Sequence, residues 1–143
     1  DGLLAQAILS IQAQKAVEVG DGVRNAATVG SQVHDEITGK NGKYSRRTNH
    51  AGGIEGGMSN GMPIVVRGFM KPIPTLIKPL GTVDIATGDT QPTRYERSDV
   101  TSVPAASTVA ESTVAFTIAN AFLEKFGGDN FEEIKQRFEA EVR

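Results

Sequence analysis

Cysteine and tryptophan are absent from this chain, and histidine and tyrosine occur only twice each. Without a thiol there is no disulfide framework, no thiolate nucleophile and no cysteine-ligated metal. Two histidines do not make a structural zinc site, so no metal is expected. No apolar run approaches the roughly 18–20 residues that span a bilayer. The opening Asp1-Gly2-Leu3-Leu4-Ala5-Gln6 lacks the cationic n-region of a signal peptide. A net charge of −2 gives no global attraction to nucleic acid or to an anionic membrane. Together these absences predict a cytoplasmic protein with neither nucleic acid nor membrane among its partners.

What is present is a chain of 143 residues, 38% hydrophobic and 22% charged, enough for one core. It opens without Met, two residues before a helical pattern. We therefore read residues 1–143 as a single domain fragment of something longer.

The apolar residues Leu3, Leu4, Ala7, Ile8 and Ile11 fall on one stripe of a helix. A short strand, Ala16 to Val19, follows and closes at Gly20. Gly39-Lys40-Asn41-Gly42 carries the hairpin-turn signal, with a second strand expected over Tyr44 to Thr48. Pro63 to Met70 reads as a buried strand, and Thr82 to Ile85 as a short one. Thr93 to Arg97 alternates and is expected to pair in a sheet. Ser102 and Pro104 mark the start of a long helix. Its predicted inner face carries Ala106, Val109, Ala110, Val114, Ile118, Phe122 and Phe126. Gly127-Gly128 would stop it, and Asp129 or Asn130 would cap a last helix with Phe131, Ile134 and Phe138 as its stripe. The long helix is rich in Ala, Ser and Thr, and burying both its faces needs more protein than this chain contains.

Three elements bear on chemistry. Between Asn49 and Gly61 five of thirteen residues are glycine, which suits positive φ or the close approach of another molecule to bare main chain. Lys71-Pro72-Ile73-Pro74-Thr75 is stiffened by two prolines. It reads either as a strap holding the Lys71 ammonium and Thr75 hydroxyl toward an anion, or as an edge strand with Lys71 solvated. Arg94 to Asp99 places Arg97 and Asp99 on one face of an extended segment. That pair reads equally as an anion clamp or as a surface ion-pair ladder. His50 and Glu55, within the glycine run, are read as structural, Glu55 as an acceptor for backbone amides. Of Arg46 and Arg47 one is expected to face solvent. The motifs of Rossmann, Walker and zincin sites are missing.

Longer strings carry a resemblance. Asn49 to Pro63, Met70-Lys71-Pro72-Ile73-Pro74-Thr75-Leu76, Lys78-Pro79-Leu80, Val83-Asp84-Ile85, Arg97-Ser98-Asp99 and Val103-Pro104-Ala105-Ala106 resemble chorismate synthase in order and spacing. Ser10-Ile11-Gln12-Ala13 and Lys125-Phe126-Gly127-Gly128-Asp129 fit too. The match spans nearly the whole chain and resembles the family's C-terminal portion. It implies an α+β fold, part of a sheet–helix–sheet sandwich, with the N-terminal portion missing. It also implies the elimination of phosphate from 5-enolpyruvylshikimate 3-phosphate to give chorismate, with reduced FMN as cofactor, NADPH as an associated reductant, and a homotetramer. Carried over by position, flavin contacts fall on Gln12, Ala13, Gly56, Lys71, Pro72, Ile73, Pro74, Thr75 and Arg97. Asp99 takes the place of the aspartate linked to flavin N5 protonation. Gln12 stands where many members have Asn, and Ile77 where Tyr is frequent. The family's two catalytic histidines lie in the N-terminal portion and match neither His34 nor His50, so the chain alone is expected to be inactive. The competing reading is a non-catalytic nucleotide- or RNA-binding module. The acidic net charge and the lack of interleaved aromatic and basic residues count against RNA.

Overall fold

The computed structural model describes residues 1–141. Its centre is an antiparallel pair of strands with a helix on one face. Helix α1 (Gly2–Leu9) buries Leu4, Ala7 and Ile8, the inner members of the predicted stripe, while Leu3 faces solvent. Ser10 closes it by donating its hydroxyl to the Ala7 carbonyl at 2.7 Å. Strand β1 (Gln14–Val19) then pairs antiparallel with β6 (Val66–Met70). The register slips between Gln14 and Ala16, where Lys15 is one residue too many. Such a bulge lets side chains three apart share a face, so Gln14 sides with Val17 and Val19.

Between these strands the chain forms two short helices, α2 (Gly22–Ala26) and α3 (Gly30–Val33), and two hairpins. In the first, β2 (Ile37–Lys40) pairs with β3 (Lys43–Arg46). Asn41 and Gly42 both take positive φ, 55° and 74°, as a two-residue type I′ turn requires. The second, β4 (Ile54–Glu55) with β5 (Met58–Ser59), turns at Gly56 and Gly57 in the same way, with φ of 59° and 80°.

Beyond β6 a further hairpin joins β7 (Gly81–Val83) to β8 (Thr90–Pro92). The predicted strand over Thr93–Arg97 is not formed. The last backbone bond runs from the Thr93 N–H to the Leu80 carbonyl at 2.8 Å, and the backbone from Arg94 to Val100 is irregular and exposed. Pro79, next on the partner side, supplies no donor to continue the ladder. Strand β6 is also less covered than expected: Arg67, Gly68 and Phe69 are exposed.

Helix α4 (Val103–Phe126) begins after Ser102 with Pro104 in its first turn and ends at Gly127. Only Ala106 of its predicted inner face is fully buried. Its far end packs on α5 (Phe131–Glu141) through Phe122, Phe126 and Phe138, whose ring centroids lie 4.6–5.4 Å apart. Phe131, placed on the same stripe by periodicity, is 73% exposed instead. Asn130 caps α5 by accepting from the Glu133 N–H at 3.0 Å, and the Glu133 carboxylate accepts from the Asp129 N–H. Among the described residues the fully buried apolar side chains are Leu4, Ala7, Ile8 and Ala106, all where α1 meets α4 and the β1–β6 pair.

Candidate ligand cleft

The turn after α1 and the segment after β6 meet at one point. Ala13 takes φ of +66°, a conformation that costs a non-glycine residue on the order of 1 kcal/mol. In that position its carbonyl accepts the Lys71 N–H at 2.9 Å. The hydrogen bond fixes the start of the proline segment against the turn that follows α1. Residues 98–109 approach from the other side. Because Ser102, Ala105, Ala106 and Val109 follow helical spacing, they share one face of α4.

A cleft of about 440 Å³ opens between these three stretches. Gln12, Ala13, Lys71, Pro72, Ile73, Pro74 and Asp99 line it, joined by Ile11, Ser98 and the α4 face just described. Seven of the ten residues singled out from the sequence thus share one hollow. Three do not line it. Thr75 follows Pro74, and Arg97 lies two residues before Asp99. Gly56 sits in the β4–β5 turn with open space around its α-carbon. Among the described residues, none of the ion pairs engages Lys71, Arg97 or Asp99. Of the lining residues not singled out for chemistry, Ala106 and Val109 are read from sequence as inner-face positions of α4, and Ala105 follows from its spacing to Ser102.

The glycine run turns out to be bare mostly for the chain's own sake. A Cβ on Gly20 would meet the His50 carbonyl oxygen at 2.2 Å, and one on Gly52 would meet the Gly20 nitrogen at 2.3 Å. Gly53 is pressed against the Pro63 carbonyl in the same way, at 2.5 Å. Main chain crosses main chain here, and no side chain fits between. Of the two uses read for this run, positive φ and the close approach of another molecule, Gly52 and Gly53 serve the first, and what approaches them is the chain's own backbone.

Carboxylates anchor the crossing. Asp35 is buried and accepts from the Thr48 hydroxyl at 2.5 Å and from the His50 and Ala51 N–H groups at 2.8 and 2.9 Å. Burial disfavours its charge, but these three hydrogen bonds outweigh that and hold its carboxyl below the usual carboxylate range. Asp21 is likewise lowered, chiefly by its 2.9 Å hydrogen bond to His50 Nδ1, with Arg67 adding to the effect. Glu55 is lowered by hydrogen bonds from Asn60 and Arg46. Its partners are side chains and not the backbone amides expected. Arg47 pairs with Glu36 at the surface, while Arg46 is mostly covered, as the opposite faces of a strand require. His50 is accordingly a structural residue.

Fold and cleft together define a class: a portion of an α+β protein, open on one side, that presents a small hollow lined by apolar and charged groups. A family model described as chorismate synthase matches residues 1–123. The chain is 67% identical over 144 residues to the chorismate synthase of Salinibacter ruber, covering 99% of this chain and 36% of that protein. It is 58% identical to that of Syntrophotalea carbinolica (98% and 36%) and 56% identical to that of Aquifex aeolicus (97% and 35%). A crystal structure titled as chorismate synthase superposes with a TM-score of 0.79 at 49% identity, covering 99% of this chain and 35% of the other. The chain belongs to the chorismate synthase family. It spans about a third of the length of these relatives.

Proposed function

We propose that this chain is the portion of a chorismate synthase that seats reduced FMN for the elimination of phosphate from 5-enolpyruvylshikimate 3-phosphate. The observation that carries the reading is the meeting of Gln12–Ala13, Lys71–Pro74 and Asp99 in one cleft from three distant stretches of sequence. The donor set suits a flat ring with polar edges. Ile11, Ala13, Pro72 and Pro74 offer rigid apolar walls, and the Gln12 amide, Lys71 ammonium and Asp99 carboxylate offer polar contacts.

When bound, the reduced flavin supplies electron density to the allylic system as the bond to phosphate breaks. The chain's own residues prepare the site for that event. Lys71 brings a positive charge to the cleft for anionic groups, and its backbone is fixed there by the following proline and by its N–H bond to Ala13. Pro72, Pro74 and Val109, exposed here, present apolar groups that a bound ring would cover, and the water so displaced would strengthen the interactions of that charge. Asp99 would hold or move a proton at its carboxylate beside a bound flavin. Thr75 and Arg97 adjoin the lining residues in sequence, and Arg97 would meet the phosphate of the substrate from there. Gly56 contributes only where another part of the enzyme reaches its hairpin. The homotetramer, NADPH as reductant and a cytoplasmic location belong to the same proposal. The remaining substrate contacts come from polypeptide outside these residues, so the chain alone is inactive.

The test uses a chimera in which this chain replaces the matching segment of the Salinibacter ruber protein. Reduced FMN is titrated anaerobically, with and without substrate, and turnover is followed by chorismate formation. Lys71→Ala should weaken flavin or substrate retention by about tenfold or more, in line with one lost charge-assisted contact. Asp99→Asn should lower kcat by roughly 10²–10⁴-fold with flavin still bound. Unchanged affinity and rate in both variants would remove the assignment.

A further inference from the structure

Two asparagines of this chain are each followed by glycine, Asn41-Gly42 and Asn60-Gly61. In such a pair the main-chain nitrogen can attack the side-chain amide carbon of the residue before it. Glycine, with no Cβ, offers that nitrogen with the least hindrance. The surroundings of the two pairs differ in what decides whether the attack takes place.

Asn60 is tied at both ends of its amide. Its Nδ2 donates to Glu55 Oε2 at 2.7 Å, and its Oδ1 accepts from the Met62 N–H at 3.0 Å. Swinging onto the Gly61 nitrogen would break both bonds, one of them to a carboxylate. That carboxylate also disfavours negative charge on the attacking nitrogen.

Asn41 lies at the tip of the β2–β3 hairpin, exposed like every residue from Ile37 to Ser45. Side-chain hydrogen bonds of the hairpin come from Thr38, Ser45 and Arg46, and among the described residues none engages Asn41. A ribbon of two exposed strands opens readily, which frees the turn for the attack. Lys40 and Lys43 stand directly opposite each other beside that turn, a destabilising pair of like charges. Among the described residues no ion pair engages either. Their charge favours the ionised form of the Gly42 nitrogen and, afterwards, a carboxylate at position 41.

We propose that Asn41 is a site of spontaneous deamidation, which gives the cationic tip of this hairpin a carboxylate. The Gly42 nitrogen loses its proton to solvent and attacks Asn41 Cγ. The bond from Cγ to Nδ2 breaks, and ammonia leaves with a proton taken from water. The succinimide ring that remains is opened by water at either of its carbonyl carbons, giving aspartate or its β-linked isomer. The sum consumes water and releases ammonia, with no electron exchanged. Either product sets a negative charge between Lys40 and Lys43. The β-linked one also lengthens the main chain of a two-residue turn, which the register from Ile37↔Arg46 to Lys40↔Lys43 does not accommodate. The strand so disturbed carries Arg46, the partner of Glu55. No step of this chemistry uses the cleft, so a failed flavin titration leaves it standing.

The same chimera tests it. It is incubated folded, beside a sample held unfolded in urea, and replacement of amide by acid is read residue by residue by mass spectrometry. Asn41 should convert within about thirtyfold of its unfolded rate, and Asn60 at least about 100-fold more slowly than its own unfolded rate. Slower conversion at Asn41, or faster conversion at Asn60, would overturn the proposal. Conversion at Asn41 should quicken from pH 7 to pH 8, because the attacking nitrogen must be ionised; a rate indifferent to pH would rule out this route. Asn41→Gln should abolish the change in the peptide that carries the turn, since the longer side chain closes its ring far more slowly. A change that persists in that variant would place the reaction elsewhere and overturn the assignment.

Discussion

Asp35 gathers two backbone N–H groups and a hydroxyl around one buried carboxylate, and so ties the loop from Thr48 to Ala51 to the strand side of the molecule. Its folded pKa lies below the ordinary value of 3.8. The stabilisation is therefore complete above that ordinary value and is lost as pH falls through the lower folded value. Asp35→Asn should cost about 1.5–3 kcal/mol near neutral pH, because an amide cannot match a charged acceptor for three donors. Urea melts at pH 7 and pH 3 should show this gap narrowing in acid; a constant gap would contradict the account. Gly52→Ala should be worse, costing more than about 3 kcal/mol, since the new methyl meets backbone that cannot move aside and φ is +69°. Gly56→Ala, with open space around it, should cost only the roughly 1–2 kcal/mol of an αL penalty.

Among the elements, those set by local rules could be read from sequence. Helices α1, α4 and α5 follow from apolar spacing, and α5 also from its Asn130 cap, whereas Ser102, expected to cap α4, makes no side-chain bond to its first turn. The β2–β3 hairpin follows from Asn41-Gly42, a dipeptide whose two residues both take left-handed φ at low cost. Elements set by distant partners could not be read. Thr93–Arg97 alternates like a strand, yet pairing stops after Thr93, where Pro79 ends the partner's supply of donors. The glycines at 52 and 53 look like a ligand surface until Gly20 and Pro63 are placed against them. Phe131 keeps helical spacing with Phe138, but only Phe138 reaches Phe122 and Phe126. Phe138→Ala should therefore undock α5 and raise its hydrogen exchange by about tenfold or more. Phe131→Ala should leave it unchanged.

At the scale of the whole molecule the cleft was legible in large part. Lys71 to Pro74 and Asp99 stood out by proline stiffness and charge, and the resemblance added Gln12 and Ala13. The re-aiming of Gln14 at Lys15 was hidden, because a bulge is not written in any short motif. The chain exposes 11151 Å², whereas a folded monomer of 15.2 kDa exposes about 7,100 Å². That large exposed area has a thermodynamic consequence. Denaturant sensitivity scales with surface newly exposed on unfolding, and this chain starts with much of its surface already wet. Its urea m-value alone should fall below the roughly 1–3 kcal/mol/M usual for small proteins. A steep transition in the isolated chain would mean that it closes on itself.

Lys15 is the residue that lets β1 keep its face across the bulge. Deleting it would restore plain alternation, with Gln14 directly before Ala16 and still opposite Met70, so Gln14 and α1 would stay on the same side of the sheet. Filling the gap instead, with one residue inserted opposite Lys15 between Phe69 and Met70, would pair Lys15 and turn Gln14 and α1 to the reverse of the sheet. A one-codon gain at that point would leave every local signal intact and assemble the layers in the wrong order.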